Sequence, residues 1–185
     1  MRVIFSLFIA TFWAAAAAAQ PAAVPMTNEP HHKRLLYTND LRLWDVTLAP
    51  GESTPPLLHE YDMATVVIGD GTVTIHNAGP TWRIDNRGTT PYRAFEIENV
   101  HEMKQTPPFA ITDLMLKVSD GAVMHQHTGA TIIVLVSGTL EQGGIGGEEP
   151  VRISQPGQWL ALPRFQGHTV AAVGGTARAI EIEVR

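Results

Sequence analysis

Hydrophobic residues in this chain occur in short runs, and turn-forming residues separate each run from the next. The runs are rich in Val, Ile, Leu and aromatic residues, whereas Gly, Pro, Asn and Asp fill the segments between them, which is typical of short β-strands joined by tight turns. No stretch repeats apolar residues at intervals of three and four over three turns, so no long amphipathic helix is indicated. The pattern predicts nine strands, at residues 41–48, 64–68, 71–75, 92–98, 112–118, 131–136, 159–162, 168–173 and 178–184. The predicted fold class is therefore all-β, a sandwich or a barrel.

The two halves of the chain contain related strand sequences. Gly-Thr-Val at 71–73 corresponds to Gly-Thr-Leu at 138–140. Arg-Ala-Phe-Glu-Ile-Glu at 93–98 corresponds to Arg-Ala-Ile-Glu-Ile-Glu at 178–183. Self-similarity of this kind indicates two copies of one structural unit.

The N-terminus has the features of a secretory signal peptide. Arg2 precedes an apolar stretch that ends in three alanines before Gln20. A basic start, an apolar segment and small residues at its end favour cleavage on export, and the alternative is an uncleaved membrane anchor at the short limit of what spans a bilayer. We therefore predict a periplasmic or secreted protein with no membrane contact after cleavage. The predicted segments are a signal peptide over 1–19, an N-terminal arm over 20–34, an N-terminal repeat over 35–104 and a C-terminal repeat over 105–185.

Composition narrows the chemistry. The chain has no Cys, which excludes a disulfide scaffold, a Cys-ligated zinc site, an iron–sulfur cluster and thiol catalysis. Its formal net charge is −5 at pH 7, so nucleic acid is not expected as a partner. Hydrophobic residues make up 44% of the chain, which is enough for a packed core and argues against disorder.

Three histidines of the C-terminal repeat stand at positions suited to a metal site. His125 and His127 are two residues apart, ahead of the predicted strand at 131–136, and His168 opens a later strand. Residues two apart on a strand point to the same face, with Cα atoms about 6.6 Å apart. Three imidazoles that converge inside an apolar barrel suit a divalent transition metal and leave positions open for water or substrate. The alternative is that these histidines only pack the barrel.

The same residues resemble the sequence motifs of the cupin superfamily. The first cupin motif corresponds to Gly121, His125, His127 and Gly138, and the second to Gly157, Pro163, Gly167 and His168. The resemblance covers residues 35–185 and implies double-stranded β-helix barrels in two copies, as in a small bicupin. The position of the customary Glu ligand is Thr131 here. The resemblance therefore supports a three-histidine site without a protein carboxylate.

The N-terminal repeat lacks most of the corresponding donors. It keeps His59, but Leu57 stands in place of the first His and Trp82 replaces the third His. The Glu position falls on Met63 or Ala64. Burying a cation against apolar groups costs free energy. We predict that this repeat binds no metal and that His59 lines its barrel.

The remaining acidic and histidine residues of interest are predicted to face solvent. Four glutamates alternate with apolar residues in the two related strands, which indicates an exposed strand face. They are Glu96, Glu98, Glu181 and Glu183. The alternative is that Glu181 or Glu183 turns inward as a proton carrier. His31 and His32 lie in the proline-containing arm and are predicted to be solvated.

Three classes of function fit these observations. The first is a cupin-type enzyme in which His125, His127 and His168 hold Fe, Zn, Ni, Mn or Cu. Its most specific form is a metal-dependent dioxygenase of a small chelating substrate, with an isomerase or lyase as the alternative. The second class is a non-catalytic protein that binds a sugar or an organic acid, and the third is a structural module that forms a homodimer. A fold does not fix an activity, so the metal content of the protein is the observation that separates the first class from the others.

Overall fold

The computed structural model describes residues 22–79, 81–102, 105–144 and 149–185, and the predicted signal peptide lies outside them. The described residues form fifteen β-strands and two short 3₁₀ turns. Among these residues there is no helix with the length and apolar character needed to cross a membrane. The all-β prediction is confirmed.

The N-terminal half forms one five-stranded sheet and one short parallel pair. Its strands are β1 (Val24–Pro25), β2 (His32–Tyr37), β3 (Leu41–Leu48), β4 (Leu57–Leu58), β5 (Asp62–Val67), β6 (Val73–His76) and β7 (Tyr92–Asn99). The five-stranded sheet has the order β2-β3-β7-β5-β6, and β1 pairs with β4. The predicted arm therefore contributes residues to two strands, β1 and β2.

The C-terminal half forms two four-stranded sheets that face each other. Its strands are β8 (Phe109–Lys117), β9 (Val123–Gln126), β10 (Thr131–Ser137), β11 (Leu140–Gly144), β12 (Val151–Ile153), β13 (Trp159–Leu162), β14 (Gly167–Ala172) and β15 (Thr176–Val184). The first sheet has the order β13-β10-β15-β8 and the second has the order β12-β11-β14-β9.

The internal repeat is visible in the strand order. The related sequences at 93–98 and 178–183 lie in β7 and β15. β7 is hydrogen-bonded between β3 and β5, and β15 is hydrogen-bonded between β8 and β10. The matching sequences thus occupy equivalent central positions in the two halves.

A shared hydrophobic core joins the two halves. Phe95 and Ile97 of the five-stranded sheet pack with Ile180 and Ile182 of β15 in one buried cluster. A second cluster lies between the two sheets of the C-terminal half and includes Ile133 of β10. The first sheet of the C-terminal half is therefore covered on both faces.

Burial on both faces corrects the prediction of exposed glutamates. In β15, Ile180 and Ile182 point into the shared core, so the alternating Glu181 and Glu183 point into the C-terminal barrel, where they are 1% and 8% exposed. Glu96 and Glu98 are equally buried in β7. The alternation of apolar and acidic residues indicated a strand with one face in solvent. In the structure both faces are buried, each in a different part of the interior.

Gly138, in the turn between β10 and β11, gives a test of this packing. Its φ is +78°, and an added Cβ would lie 2.2 Å from the backbone oxygen of Thr176. Gly174 has a similar φ of +73°, but an added Cβ there would have no atom within 4 Å. Both Ala variants carry the left-handed backbone strain of about 1–2 kcal/mol. We expect the free energy of unfolding, measured in urea, to fall by about 1–3 kcal/mol more in Gly138→Ala than in Gly174→Ala, because only Gly138→Ala overpacks its turn. Equal losses would contradict the close approach of β15 to this turn.

Candidate metal centre

His125 and His168 face each other across two paired strands. β9 and β14 are antiparallel, and their register places His168 directly opposite His125. Directly opposed residues project from the same face of a sheet, with Cβ atoms about 4.5–5.5 Å apart. The two ring centroids are 5.4 Å apart. Strand pairing alone therefore brings together two histidines that are far apart in sequence.

His127 completes the histidine group from just beyond the end of β9. Its Nε2 atom lies 3.1 Å from Nε2 of His168, and both side chains are buried. Its ring centroid is 6.2 Å from that of His125. The structure thus places all three histidines predicted from the sequence in one cluster.

Glu181 adds a carboxylate from the opposite sheet. Its Oε2 lies 3.1 Å from Nδ1 of His125 and 3.7 Å from Nε2 of His127. Its Oε1 lies 3.6 Å from Nε2 of His168. The prediction of a cluster without a protein carboxylate was therefore wrong. Thr131 does occupy β10, but its hydroxyl donates a hydrogen bond to the Gly129 carbonyl, and the carboxylate comes from β15 instead.

The donor atoms have the spacing that a metal ion requires. One ligand atom from each of the four residues lies within 4.8 Å of all the others. Metal–ligand bonds of about 2.0–2.2 Å, at angles between octahedral and tetrahedral, place neighbouring donors about 2.9–3.6 Å apart. The contacts of 3.1–3.7 Å in the cluster are close to that range, with those of Glu181 divided between its two oxygens. Oε1 of Glu181 is buried and has no hydrogen-bond partner among the described residues. Three imidazoles and one carboxylate thus fit a divalent transition metal.

Burial keeps His168 in the form that binds metals. Its side chain is fully buried, and desolvation, followed by the proximity of His127 and His125, lowers its pKa to about 4. The imidazole is therefore neutral at pH 7. Metal binding needs this neutral form because a protonated ring nitrogen has no lone pair to donate.

Glu183 is held beside the cluster and faces the far side of the His127 ring. Its Oε1 accepts hydrogen bonds from the Thr128 hydroxyl at 2.8 Å and from the Gly129 backbone N–H at 2.8 Å. Burial alone would raise the pKa of Glu183, but these hydrogen bonds and the nearby Arg185 bring the pKa below its ordinary value. The other oxygen lies 3.6 Å from Nδ1 of His127. This separation is longer than a hydrogen bond, so Glu183 places a negative charge beside the distal nitrogen of His127 without bonding to it.

A cavity of about 290 Å³ adjoins the cluster. Its walls include His125, His127 and Glu181, together with Thr112, Gln126 and Arg185. This volume lies at the small end of the range for ligand pockets, about 300–1,000 Å³. The cluster is thus accessible to a small molecule.

A larger groove of about 620 Å³ lies in the N-terminal half, away from these residues. The guanidinium of Arg42 sits 4.7 Å and 4.8 Å from the ring centroids of Tyr37 and Tyr61 there. None of the four clustered residues lines this groove. The larger volume of this groove is therefore no evidence that a metal binds there.

The N-terminal half has a different interior. His59 is 4% exposed and stacks on Trp82 with ring centroids 5.0 Å apart, while Leu57 and Met63 are fully buried. Desolvation, followed by the charges of nearby histidines, lowers the pKa of His59 to about 4. His59 therefore lies in the interior, and the absence of a metal from this half stays a prediction.

His32 is buried, which corrects the prediction that it is solvated. It lies at the start of β2, and its Nε2 is 3.0 Å from Oε2 of Glu96. Its Nδ1 contacts a carboxylate oxygen of Glu29, and neither glutamate side chain is exposed. His31 is half-buried and contacts the other oxygen of Glu29 at 2.6 Å. The arm is therefore held to the five-stranded sheet by the buried contacts of His32 with two carboxylates.

These observations define a class of protein: two related all-β units, the second of which encloses a three-histidine, one-glutamate cluster. No family model and no curated protein sequence matches this chain. Solved structures do match it, and they identify the fold as the cupin fold.

Three of these structures show the extent of the likeness. A cupin 2 conserved barrel domain protein from Leptotrichia buccalis has a TM-score of 0.51 at 14% identity, over 83% of this chain and 88% of that one. AerE from Microcystis aeruginosa has a TM-score of 0.61 at 12% identity, over 85% and 98%. An oxalate decarboxylase has a TM-score of 0.60 at 11% identity, over 79% and 69%. At these identities the likeness concerns the fold.

Proposed function

We propose that this protein is exported and binds one divalent transition metal through His125, His127, His168 and Glu181, and that it acts as a dioxygenase on a small chelating organic substrate. The observation that carries the proposal is the cluster of four donors within 4.8 Å of one another. Iron, zinc, nickel, manganese and copper are all compatible with imidazole and carboxylate ligands. The basic and apolar N-terminal sequence supports export.

The arrangement of the cluster supports chemistry on a chelating substrate. Four protein donors on a six-coordinate ion would leave two positions open, and the adjoining cavity of about 290 Å³ gives access to the cluster. A bound ion would supply Lewis acidity or redox chemistry at those positions. The chain itself would hold the ion between two sheets and would balance one of its charges through Glu181, with the carboxylate of Glu183 close to His127. A β-diketone, an enediol or a phenolic acid offers two oxygens of suitable spacing.

Metal content is the first test of the proposal. Untagged mature protein, purified from the exported fraction, is expected to contain about one transition-metal ion per chain by elemental analysis. His127→Ala is expected to lose that ion, since the remaining donors no longer enclose it. Wild-type protein that binds none of the five candidate metals at pH 7–8 would contradict the proposal and would favour non-catalytic binding of a small ligand.

Oxygen uptake tests the enzymatic part separately. Protein loaded with each metal under anaerobic conditions is exposed to dioxygen in the presence of diketones, flavonols and phenolic acids. We expect uptake with the wild-type protein and none with His127→Ala. Loaded protein without uptake on any of these substrates would remove the dioxygenase assignment and leave metal binding in place.

The N-terminus of the exported protein tests the localisation. Mass spectrometry is expected to find Gln20 as the first residue, because the alanine run before it suits signal peptidase cleavage. Intact Met1 in the exported fraction would contradict cleavage.

A further inference from the structure

Arg185 lines the cavity of about 290 Å³ beside the four-residue cluster, and Nη2 of its guanidinium lies 3.7 Å from Oε2 of Glu183, which lines the same cavity. Among the described residues that line this cavity, Arg185 is the only one with a permanent positive charge. Its side chain is 39% exposed, so solvent and solutes can reach it. Its charge helps to lower the pKa of Glu183, and its side chain is free to contact a bound molecule as well.

The backbone of Arg185 is fixed. Its N–H donates a hydrogen bond to the Pro108 carbonyl at 2.9 Å, and its carbonyl accepts one from the Asn99 side chain at 2.8 Å. Both contacts attach the residue to neighbouring segments of the fold. The guanidinium therefore extends from a defined point at the end of β15.

The guanidinium itself is weakly engaged. Its nearest carboxylate contact is Oε2 of Glu183 at 3.7 Å, which exceeds a hydrogen-bond distance. Glu183 is already held by Thr128 and Gly129 through its other oxygen, so it does not depend on Arg185 for its position. A guanidinium offers five N–H donors in a planar fork that matches a carboxylate. In Arg185 these donors make no hydrogen bond within the described part of the chain.

The charge of the cavity favours an anion once a metal is bound. The lining contains two carboxylates, Glu181 and Glu183, and one guanidinium, so the acidic groups exceed the permanent positive charge by one. A divalent ion reverses that balance to one net positive charge. Attraction between unlike charges in a partly enclosed cavity is stronger than in bulk water.

We propose that Arg185 binds a carboxylate of the substrate while a second oxygen-bearing group of the same molecule binds the metal. This inference rests on the proposed metal function and specifies its substrate class as a small organic acid with an additional oxygen donor, such as a hydroxy, oxo or second carboxylate group. Arg185 is then a specificity-determining residue: it selects carboxylates among the molecules that can chelate the ion.

The experiment compares two chelating probes on protein loaded with Co²⁺. Malate carries two carboxylates and a hydroxyl group, whereas acetohydroxamate chelates a metal without any carboxylate. Calorimetric titration of both probes is carried out on wild-type protein, Arg185→Gln, Arg185→Lys and the control Arg152→Gln. Arg152 is an exposed residue whose guanidinium pairs with Glu141 across β11 and β12, outside the cavity.

We expect Arg185→Gln to weaken malate binding about tenfold or more, the loss typical of removing a bidentate charge-assisted pair. The malate affinity of Arg185→Lys is expected to lie between those of the wild type and Arg185→Gln, because lysine keeps the positive charge but lacks the planar fork of donors. Acetohydroxamate affinity and Co²⁺ content should be the same in all four proteins, and Arg152→Gln should match the wild type with both probes.

Failure of the inference and failure of the proposed function give different results. Loaded wild-type protein that does not bind malate, or that binds it as weakly as Arg185→Gln does, overturns the role of Arg185 and leaves metal binding intact. Equal weakening of both probes in Arg185→Gln also overturns it, since the loss would not be specific for a carboxylate. Wild-type protein that retains neither Co²⁺ nor any of the five candidate metals overturns the proposed function, and this inference with it, before any probe is added.

Discussion

Replacing Glu181 with glutamine is expected to reduce the metal content of the purified protein from about one ion per chain to nearly none. Glu181 supplies the only carboxylate in the four-residue cluster, and its Oε1 has no hydrogen-bond partner in the described structure. Glutamine keeps the shape of the side chain and removes the charge that offsets the buried ion. Since loss of an outer-shell partner already costs about 10–100-fold in metal affinity, loss of this ligand is expected to cost about 100-fold or more.

The control for this substitution is Glu141→Gln. Glu141 pairs with Arg152 at the surface of the C-terminal half and lies outside the cluster. Its variant should retain the wild-type metal content by elemental analysis. In the presence of EDTA, Glu181→Gln should unfold in urea at or above the wild-type midpoint, because it removes an uncompensated buried charge. Unchanged metal affinity in Glu181→Gln would show that the three histidines suffice.

Replacing His32 with glutamine is expected to lower the free energy of unfolding by about 3–5 kcal/mol at pH 6, the typical cost of removing one member of a buried ion pair. The side chains of His32, Glu29 and Glu96 are all fully buried, and His32 contacts both carboxylates. Without the imidazolium, two negative charges would remain inside the first half. The measurement is urea unfolding of the metal-free protein, with His31→Gln as the half-exposed control.

The contacts of His32 with Glu29 and Glu96 also predict that the free energy of unfolding depends on pH. Burial alone would lower the pKa of His32, but hydrogen bonds and charge interactions with Glu96 and Glu29 raise it above its ordinary value of 6.5. A raised pKa in the folded state means that the stabilisation is complete below pH 6.5 and is lost as the pH rises through the folded value. Wild-type stability should therefore decline between pH 6.5 and the alkaline range, and His32→Gln should lack that component. Parallel pH profiles for the two proteins would contradict this assignment.

Most strands could be predicted because their hydrophobic runs are long. All nine predicted strands are present, with bounds shifted by at most three residues. The six that the pattern missed are short, polar or both: β1 and β4 contain two residues each, and β9 reads Val-Met-His-Gln. Such strands form because neighbouring strands complete their hydrogen bonds, and this tertiary contribution leaves little trace in the local sequence.

The histidines of the site could be predicted and the glutamate could not, for a physical reason. His125, His127 and His168 stand out because imidazoles at that spacing are rare in an apolar setting. Glu181 lies in an Ile-Glu-Ile-Glu segment that has the same alternation as a surface strand. Only the packing of the five-stranded sheet on the other face of β15 shows that its glutamates point inward. Glu96, the counterpart of Glu181 in the repeated segment, is also buried, against His32. The repetition of this glutamate in both halves was therefore a sign of a buried position, but the alternation of polar and apolar residues pointed to an exposed one.

The double coverage of β15 limits how this protein can be divided or recombined. One face of the strand belongs to the core shared with the N-terminal half, and the other carries Glu181 into the metal cluster. A C-terminal half transplanted alone would expose Ile180 and Ile182 to water and would lose the support behind its own carboxylate. The N-terminal half thus supports the strand that carries Glu181 in the C-terminal half. The N-terminal half can therefore do without a cluster of its own, but it has to keep its apolar face. The two halves consequently have to be inherited, shuffled or engineered as one unit.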